Sequence, residues 1–357
     1  MQDSTPGGVS SIHERRWKWR SKSVILIFAL VLLFAKAGCR RKSDVAKEAT
    51  ITLYGFSVVK EALEQEIFPA YQKEWFEKTG QKLNFTPSYA GSELQTNQIL
   101  MGAEADVAIF ASARNADALV KERVTRHKWR DLPYGGIVNK TPMVILVRQG
   151  NPKGIHDFKD LGKPGIKLIL SDPTFSGAGQ WSILAIYGSE LIKSERTSGA
   201  RDERKAFETL KRVWGSVIAT FGSAREARTH FEHGEGDALV TYEVEALQLI
   251  SKKLGVEMVV PPTTIFSEHP VVIIDYRMPA AKYAIVELFV RYLWEKPAQL
   301  AWVQSGFRSV TDDSFNDNFI KVKNPFYVKD LGGWSQAYLQ IIEGVWKQKI
   351  QPARKES

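Results

Sequence analysis

Three hydrophobic patterns divide the 357-residue chain. Short apolar runs at 50–54, 83–86, 107–110, 142–147, 167–170, 217–220, 238–241 and 271–274 have the length and residue types of buried strands. Between them lie segments of helical periodicity. The one at 58–78 sets Leu63, Ile67, Phe68, Tyr71 and Trp75 on one side, and others follow at 92–101, 112–120, 280–294, 297–304 and 336–346. Strands separated by helices predict a layered, mostly parallel α/β sheet. The third pattern is a single unbroken apolar stretch at 24–35.

Proline and glycine punctuate this alternation in two places. A loop containing Pro133, Gly135 and Gly136 precedes the run at 142–147, and Pro261 and Pro262 open a polar turn that continues to His269. These read as an outward and a return crossing between two lobes. Residues 50–137 and 263–357 then form lobe 1 with the C-terminal helices, and 138–262 form lobe 2. Ligands of open α/β sheets sit beyond the carboxyl ends of the strands, so an interlobe cleft is the expected site.

The stretch at 24–35 follows a basic run of Arg15, Arg16, Lys18, Arg20 and Lys22 and precedes Ala37, Gly38 and Cys39. Basic, apolar and small residues in that order predict a secretory signal over 1–38, with a polar spacer at 39–49. The apolar stretch is well short of the roughly 20 residues a spanning helix needs. Cys39 lies where a bacterial lipobox puts its lipid-bearing cysteine, with Lys36 in place of the usual aliphatic residue; simple cleavage after Ala37 is the rival. It is the only cysteine, which excludes an internal disulfide and a metal–thiolate cluster. Four of the nine net positive charges belong to the signal, leaving +5 on the mature chain. That excess steers anions. No basic stripe interleaved with aromatics accompanies it, so nucleic acid is not an expected partner.

The candidate chemistry sits in the turns that join strands to helices. The strand at 168–170 leads through Ser171, Asp172, Pro173, Thr174 and Phe175 to Ser176, Gly177, Ala178 and Gly179 at the head of an apolar helix. Small residues there leave backbone amides free to meet an anion at the positive end of the helix dipole. The loop has no lysine, so it is not a nucleotide-hydrolysing P-loop. Three further turns are similar: Gly55, Phe56, Ser57; Ser88 to Ser92; and Phe221 to Arg225. His230, Glu232, His233, Glu235 and Asp237 read as a solvated helix end, because no further ligand follows at a metal-binding spacing. The aromatic stripe Tyr283, Phe289, Tyr292, Trp294 reads as core. No Gly-x-Ser-x-Gly nucleophile turn is present.

Four motifs occur in a distinctive order: the Gly-Ala-Glu-Ala-Asp-Val segment at 102–107, the segment from Val147 to Phe158, Gly236, Asp237 and Ala238 with Glu243 and Glu245, and Gly332, Gly333, Trp334. With these motifs the mature chain resembles the bacterial sulfate and thiosulfate binding proteins of ATP-driven importers. The resemblance implies a type II periplasmic-binding-protein fold, two α/β lobes joined by a two-crossing hinge. It implies a monomeric, non-enzymatic receptor without metal or cofactor, exported to the periplasm and anchored as a lipoprotein through Cys39. Such a receptor would deliver sulfate or thiosulfate to ABC permease subunits in the inner membrane. Carried over by position, the ligand donors are Ser92, Ser176, Gly177, Ala178, Ala224 and Tyr242.

Several positions depart from the family pattern. Tyr242 stands where the family has a tryptophan donor, Ala178 where it has glycine, Ser57 where it has an acid, and Ser309 where it has proline. Glu93 and Glu226 replace glycines at helix starts; they read as first-turn acids facing solvent, the rival being acceptance of a proton from a protonated oxyanion. Arg225 reads as support for its loop. The alternatives are a receptor for another oxyanion, phosphate or molybdate, or, from a different class, an exported phosphatase or sulfatase. The latter would need a metal cluster or an activated nucleophile that the residues do not supply.

Overall fold

The computed structural model describes residues 48–352. The signal segment, Cys39 and most of the spacer lie outside the described residues. Ten strands make one continuous mixed sheet: β1 Glu48–Phe56, β2 Lys82–Ala90, β3 Val107–Ile109, β4 Ile137–Arg148, β5 Leu168–Ser171, β6 Val217–Phe221, β7 Ala238–Tyr242, β8 Val256–Val259, β9 Thr263–Ile273 and β10 Asn324–Phe326. The order is β2-β1-β3-β9-β4-β7-β5-β6, with β8 on β4 and β10 on β9. Among the described residues the longer helices are α1 Phe68–Thr79, α2 Ser92–Leu100, α3 Ala113–Lys121, α4 Gly177–Ser198, α5 Glu203–Gly215, α6 Ala224–Glu232, α7 Glu243–Ser251, α8 Ala280–Tyr292 and α9 Lys296–Gln304. A short helix Gly333–Ala337 runs on into a π-type helix Tyr338–Ile350.

The sheet is parallel in its wings and antiparallel in its middle. β1 pairs parallel with β2 and β3, and β5 pairs parallel with β6 and β7. β9 runs antiparallel to β3 and to the first part of β4, whose second part runs antiparallel to β7 and β8. β4 and β9 therefore each pass from one wing to the other, lying against each other from Ile137 opposite Pro270 to Pro142 opposite Phe266. This mixture departs from the mostly parallel sheet expected, because the crossing strands run against each other and against β3, β7 and β8, although β10 pairs parallel with β9.

The polar turn expected at 261–269 is instead the long buried strand β9. Several of its polar side chains tolerate burial because they find hydrogen-bond partners. The Thr264 hydroxyl donates to the Met143 carbonyl at 2.6 Å. His269 lies between the Asn139 side-chain oxygen on Nδ1 and the Ser267 hydroxyl on Nε2, both at 2.6 Å, with Phe56, Tyr242 and Phe307 rings around it. The segment expected as one helix over 58–78 begins with a 3-10 turn Ser57–Val59 and a π-type turn Ala62–Ile67 before α1, whose Pro69 falls in its first turn.

The apolar faces meet as the periodicity predicts. Phe68 of α1 stacks on Phe85 of β2 with ring centroids 3.9 Å apart, Phe289 of α8 is 4.7 Å from Phe85, and Tyr71 is 4.8 Å from Tyr292. Trp294 is buried too and donates its indole N–H to the Ile137 carbonyl, whereas Tyr283 is half-buried against His127. Trp334, from the glycine-flanked motif near the C-terminus, meets Trp181 of α4 edge-on at 4.6 Å.

Burial holds His269 neutral, pushing its pKa down to about 3. The unfolded chain takes up that proton near pH 6.5 while the folded chain refuses it, so His269 removes stability as pH falls from about 6.5 towards 3, at up to about 1.4 kcal/mol per unit. His269→Gln is expected to flatten this decline in urea unfolding measured from pH 7 to 4; an unchanged slope would contradict it.

Candidate functional site

The carboxyl ends of β1, β2, β5, β6 and β7, with the residues just beyond β3, surround a narrow cavity of about 10 Å³. Its walls are Phe56 and Ser57 after β1, Ala90, Gly91 and Ser92 after β2, Ala111 after β3, Ser176, Gly177 and Ala178 after β5, Ala224 after β6, and Tyr242 at the end of β7. All six candidate donors thus come together, and Ser57 joins them. Glu93, Arg225 and Glu226 are not among the wall residues. The wall residues include no carboxylate, histidine, lysine or arginine; their polar groups are hydroxyls and peptides.

The walls are helix N-termini whose first amides lack side-chain caps in two cases. α4 begins after Ser176, whose hydroxyl makes no capping hydrogen bond, and its first intrahelical bond is from Gln180 to the Ser176 carbonyl. The amides of Gly177, Ala178 and Gly179 precede that bond. α2 begins after Gly91, which has no side chain to cap with, and its first intrahelical bond is from Gln95. Each such terminus carries about half a positive charge in its unsatisfied N–H groups. The α6 terminus caps itself: the Ser223 hydroxyl accepts from the Glu226 amide at 3.1 Å, and the Glu226 carboxylate accepts from the Gly222 amide at 2.9 Å. Glu226 thus serves its own turn, as a first-turn acid should.

Two hydroxyls are set as donors. The Ser92 oxygen already accepts the Ala111 amide at 2.9 Å, which leaves its proton to be given elsewhere. Tyr242 is fully buried and its hydroxyl makes no hydrogen bond, although Ser267 is near enough to act on its ionisation. Burial raises the Tyr242 pKa well above its ordinary value, so the hydroxyl keeps its proton.

The two wings touch around this cavity, and glycine makes the contact possible. A Cβ on Gly91 would lie 2.7 Å from the Phe175 carbonyl oxygen and 2.8 Å from that of Gly222, both in the opposite wing. A Cβ on Gly177 would lie 2.7 Å from the Ala111 Cβ. Side-chain ties cross the same line. The Trp181 indole donates to the Ala111 carbonyl at 2.7 Å. Arg225 meets the Glu61 carboxylate with both terminal nitrogens, one at 2.5 Å, and pairs with Glu245 at 3.1 Å. Burial works against the Arg225 charge, but the hydrogen bond and charge of Glu61 together with Glu245 outweigh it and raise its pKa.

Glu93 does not face solvent as its sequence position suggested. Its side chain is 14% exposed, turned toward Arg114, Asn115 and Gln180. The local pattern marks a favourable first-turn acid and nothing more; the partners that turn it inward lie far along the chain. One motif residue and one departure from the family pattern find structural roles behind the walls. Glu243 grips Arg308 with two bonds of 2.8 Å, and burial raises the Glu243 pKa against the pull of that guanidinium. Ser309, at the position of the family proline, is fully buried and donates to the Gln299 side-chain oxygen at 2.8 Å. His230 binds Glu235 at 2.7 Å, and among the described residues no group of three potential ligands could hold a metal ion.

The model of the family described as bacterial extracellular solute-binding protein matches residues 51–308. The chain belongs to that family. It is 31% identical over 349 residues to a sulfate-binding protein of Synechococcus elongatus, covering 94% of this chain and 98% of that one. A thiosulfate-binding protein of Pseudomonas aeruginosa is 30% identical over 285 residues, covering 76% and 82%. Among solved structures, the sulfate-binding protein SubI from Mycobacterium tuberculosis superimposes with a TM-score of 0.74 at 28% identity, covering 82% of this chain and 99% of that one. The fold is that of periplasmic binding proteins, and this solute-binding protein is, like its relatives, of the extracytoplasmic kind that serves ABC importers.

Gly91→Ala is expected to hold the wings apart, since two backbone carbonyls occupy the space its Cβ needs. Solution scattering should give a larger radius of gyration than wild type at unchanged helix content. An equal radius would mean that the contact at Gly91 gives way.

Proposed function

We propose that this chain captures a fully ionised tetrahedral dianion, sulfate or thiosulfate, in the cavity between its wings, and hands it to the permease of an ABC importer. The wings act as the two lobes of the receptor, with 50–137 and 263–357 in one, 138–262 in the other, and β4 and β9 as the hinge. The observation that carries the reading is the cavity itself: converging uncapped helix termini, donor hydroxyls and no cation. A dianion held there recovers hydrogen bonds from the amides of Gly177, Ala178 and Ala224 and from the Ser92, Ser176 and Tyr242 side chains. Its charge is balanced by peptide dipoles rather than by a countercharge.

Ligand choice follows from what the walls lack. Hydrogen phosphate brings a proton that needs an acceptor, and both carboxylates near the helix starts are already used: Glu226 by the Gly222 amide, and Glu93 by Arg114, Asn115 and Gln180. The acceptors left on the walls are hydroxyls, weaker partners for that proton than a free carboxylate, which disfavours protonated oxyanions. Export to the periplasm and attachment through Cys39 complete the proposal, with the mature chain acting as a monomer.

Thermal unfolding with sulfate, thiosulfate, molybdate and phosphate in turn tests this. Sulfate or thiosulfate at 100 times its dissociation constant should stabilise by about 2.7 kcal/mol. Phosphate should have no comparable effect at pH 7. A shift with none of the four, or with phosphate alone, would overturn the reading. In isothermal titration, Tyr242→Phe should weaken sulfate binding about tenfold through loss of one buried donor; unchanged affinity would remove the Tyr242 hydroxyl from the site.

A further inference from the structure

Glu93 lies next to Ser92 at the head of α2, where its negative charge works against any anion in the cavity. A carboxylate in that position needs a reason. It accepts from Arg114 Nη1 at 3.2 Å on each oxygen, from the Asn115 side-chain amide at 3.1 Å and from the Gln180 side-chain amide at 3.1 Å. Arg114 and Asn115 belong to α3, on the same wing as Glu93. Gln180 belongs to the first turn of α4 on the other wing, beside the amides of Gly177 to Gly179. Gln180 is itself 1% exposed, and its amide also donates to the Pro173 carbonyl at 3.2 Å, so the side chain is fixed in place. Arg114 is fixed from its other side by lying 3.9 Å over the Tyr338 ring of the C-terminal π-type helix.

We propose that Glu93 and Gln180 form a latch that holds the wings closed, with Arg114 offsetting the Glu93 charge so that the latch does not repel the bound anion. Opening the wings breaks the Glu93–Gln180 bond and leaves the Glu93–Arg114 pair whole, because the latter lies within one wing. The latch therefore acts on the closed state alone. It positions the donors of α2 and α4 opposite each other and touches no ligand. Closure and release are the quantities it sets; encounter with the anion, which occurs with the wings apart, is outside its reach. A bond of this kind, to a charged group and largely buried, is worth about tenfold or somewhat more in an equilibrium.

Spin labels on Lys73→Cys in α1 and Lys159→Cys beyond β4, with Cys39→Ser, give the distance between wings; both lysines are exposed. Gln180→Ala and Glu93→Ala should each shift the distance distribution toward longer, open values. They should raise the sulfate dissociation rate about tenfold with the association rate unchanged. The double variant should match the single ones, because both remove the same bond. Only the dissociation rate rests on the anion-receptor reading. If no oxyanion binds wild type, that reading fails, and the distances still judge the latch. Variants with wild-type distances, effects that add in the double variant, or a wild type that is open under all conditions would each overturn it. A role confined to fold stability would lower the unfolding temperature and leave the distances where they were, which also overturns it.

Discussion

The constraint on which this structure depends is that peptide groups from two separate wings must come within touching distance. Helix termini are weak sources of positive potential, each about half a charge that fades within a turn, so several must converge before they can replace water around an anion. Convergence brings backbone against backbone, as at Gly91 against the carbonyls of Phe175 and Gly222. There a methyl group is already too large. Gly177 against Ala111 repeats the constraint with small residues on both sides, and Gly179 meets it within one wing, where a Cβ would lie 2.5 Å from the Ser171 carbonyl oxygen. Everything behind the walls, from the Trp181 bond to the Glu243–Arg308 pair, fixes the backbone segments that have to meet.

Much of the fold could be read from local pattern because the inner strands β3, β4, β5 and β7 are buried almost throughout. Runs such as 107–110 and 142–147 have no reason to be apolar unless they are covered. The end of β9 was legible as the run at 271–274, but its first part escaped that reading. Its polar positions Thr264, Ser267 and His269 mimic a turn, and what makes them a strand is a set of partners, Met143 and Asn139 among them, more than a hundred residues away. Local pattern carries no trace of such pairs. β10, only three residues long, is likewise defined by its neighbour, Asn324–Phe326 lying beside Thr263 to Ile265.

The site divides along the same line. The Ser- and Gly-rich turns stood out because capping residues and small residues have a local purpose, and the cavity gathers all four turns. Ala111 was invisible because its contribution is entirely backbone, an amide given to Ser92 and a carbonyl taken up by Trp181. Glu61 and Gln180 were invisible because their partners, Arg225 and Glu93, sit in other elements of the opposite wing. Glu93 shows the limit most plainly, since the same residue at the same helix position could face water or be turned inward.

The neutrality of the cavity wall has a further consequence. Mobile ions in solution weaken attraction between full charges at a distance, and they act far less on the short-range dipoles of a space walled by Phe56, Tyr242 and close-set peptides. Recognition built from short-range dipoles is therefore insulated from ionic strength, while the approach of an anion to the basic exterior is not. A receptor of the proposed kind thereby separates two quantities that a charged pocket would tie together. Salt governs how often an anion arrives, and the geometry of peptide groups governs how long it stays.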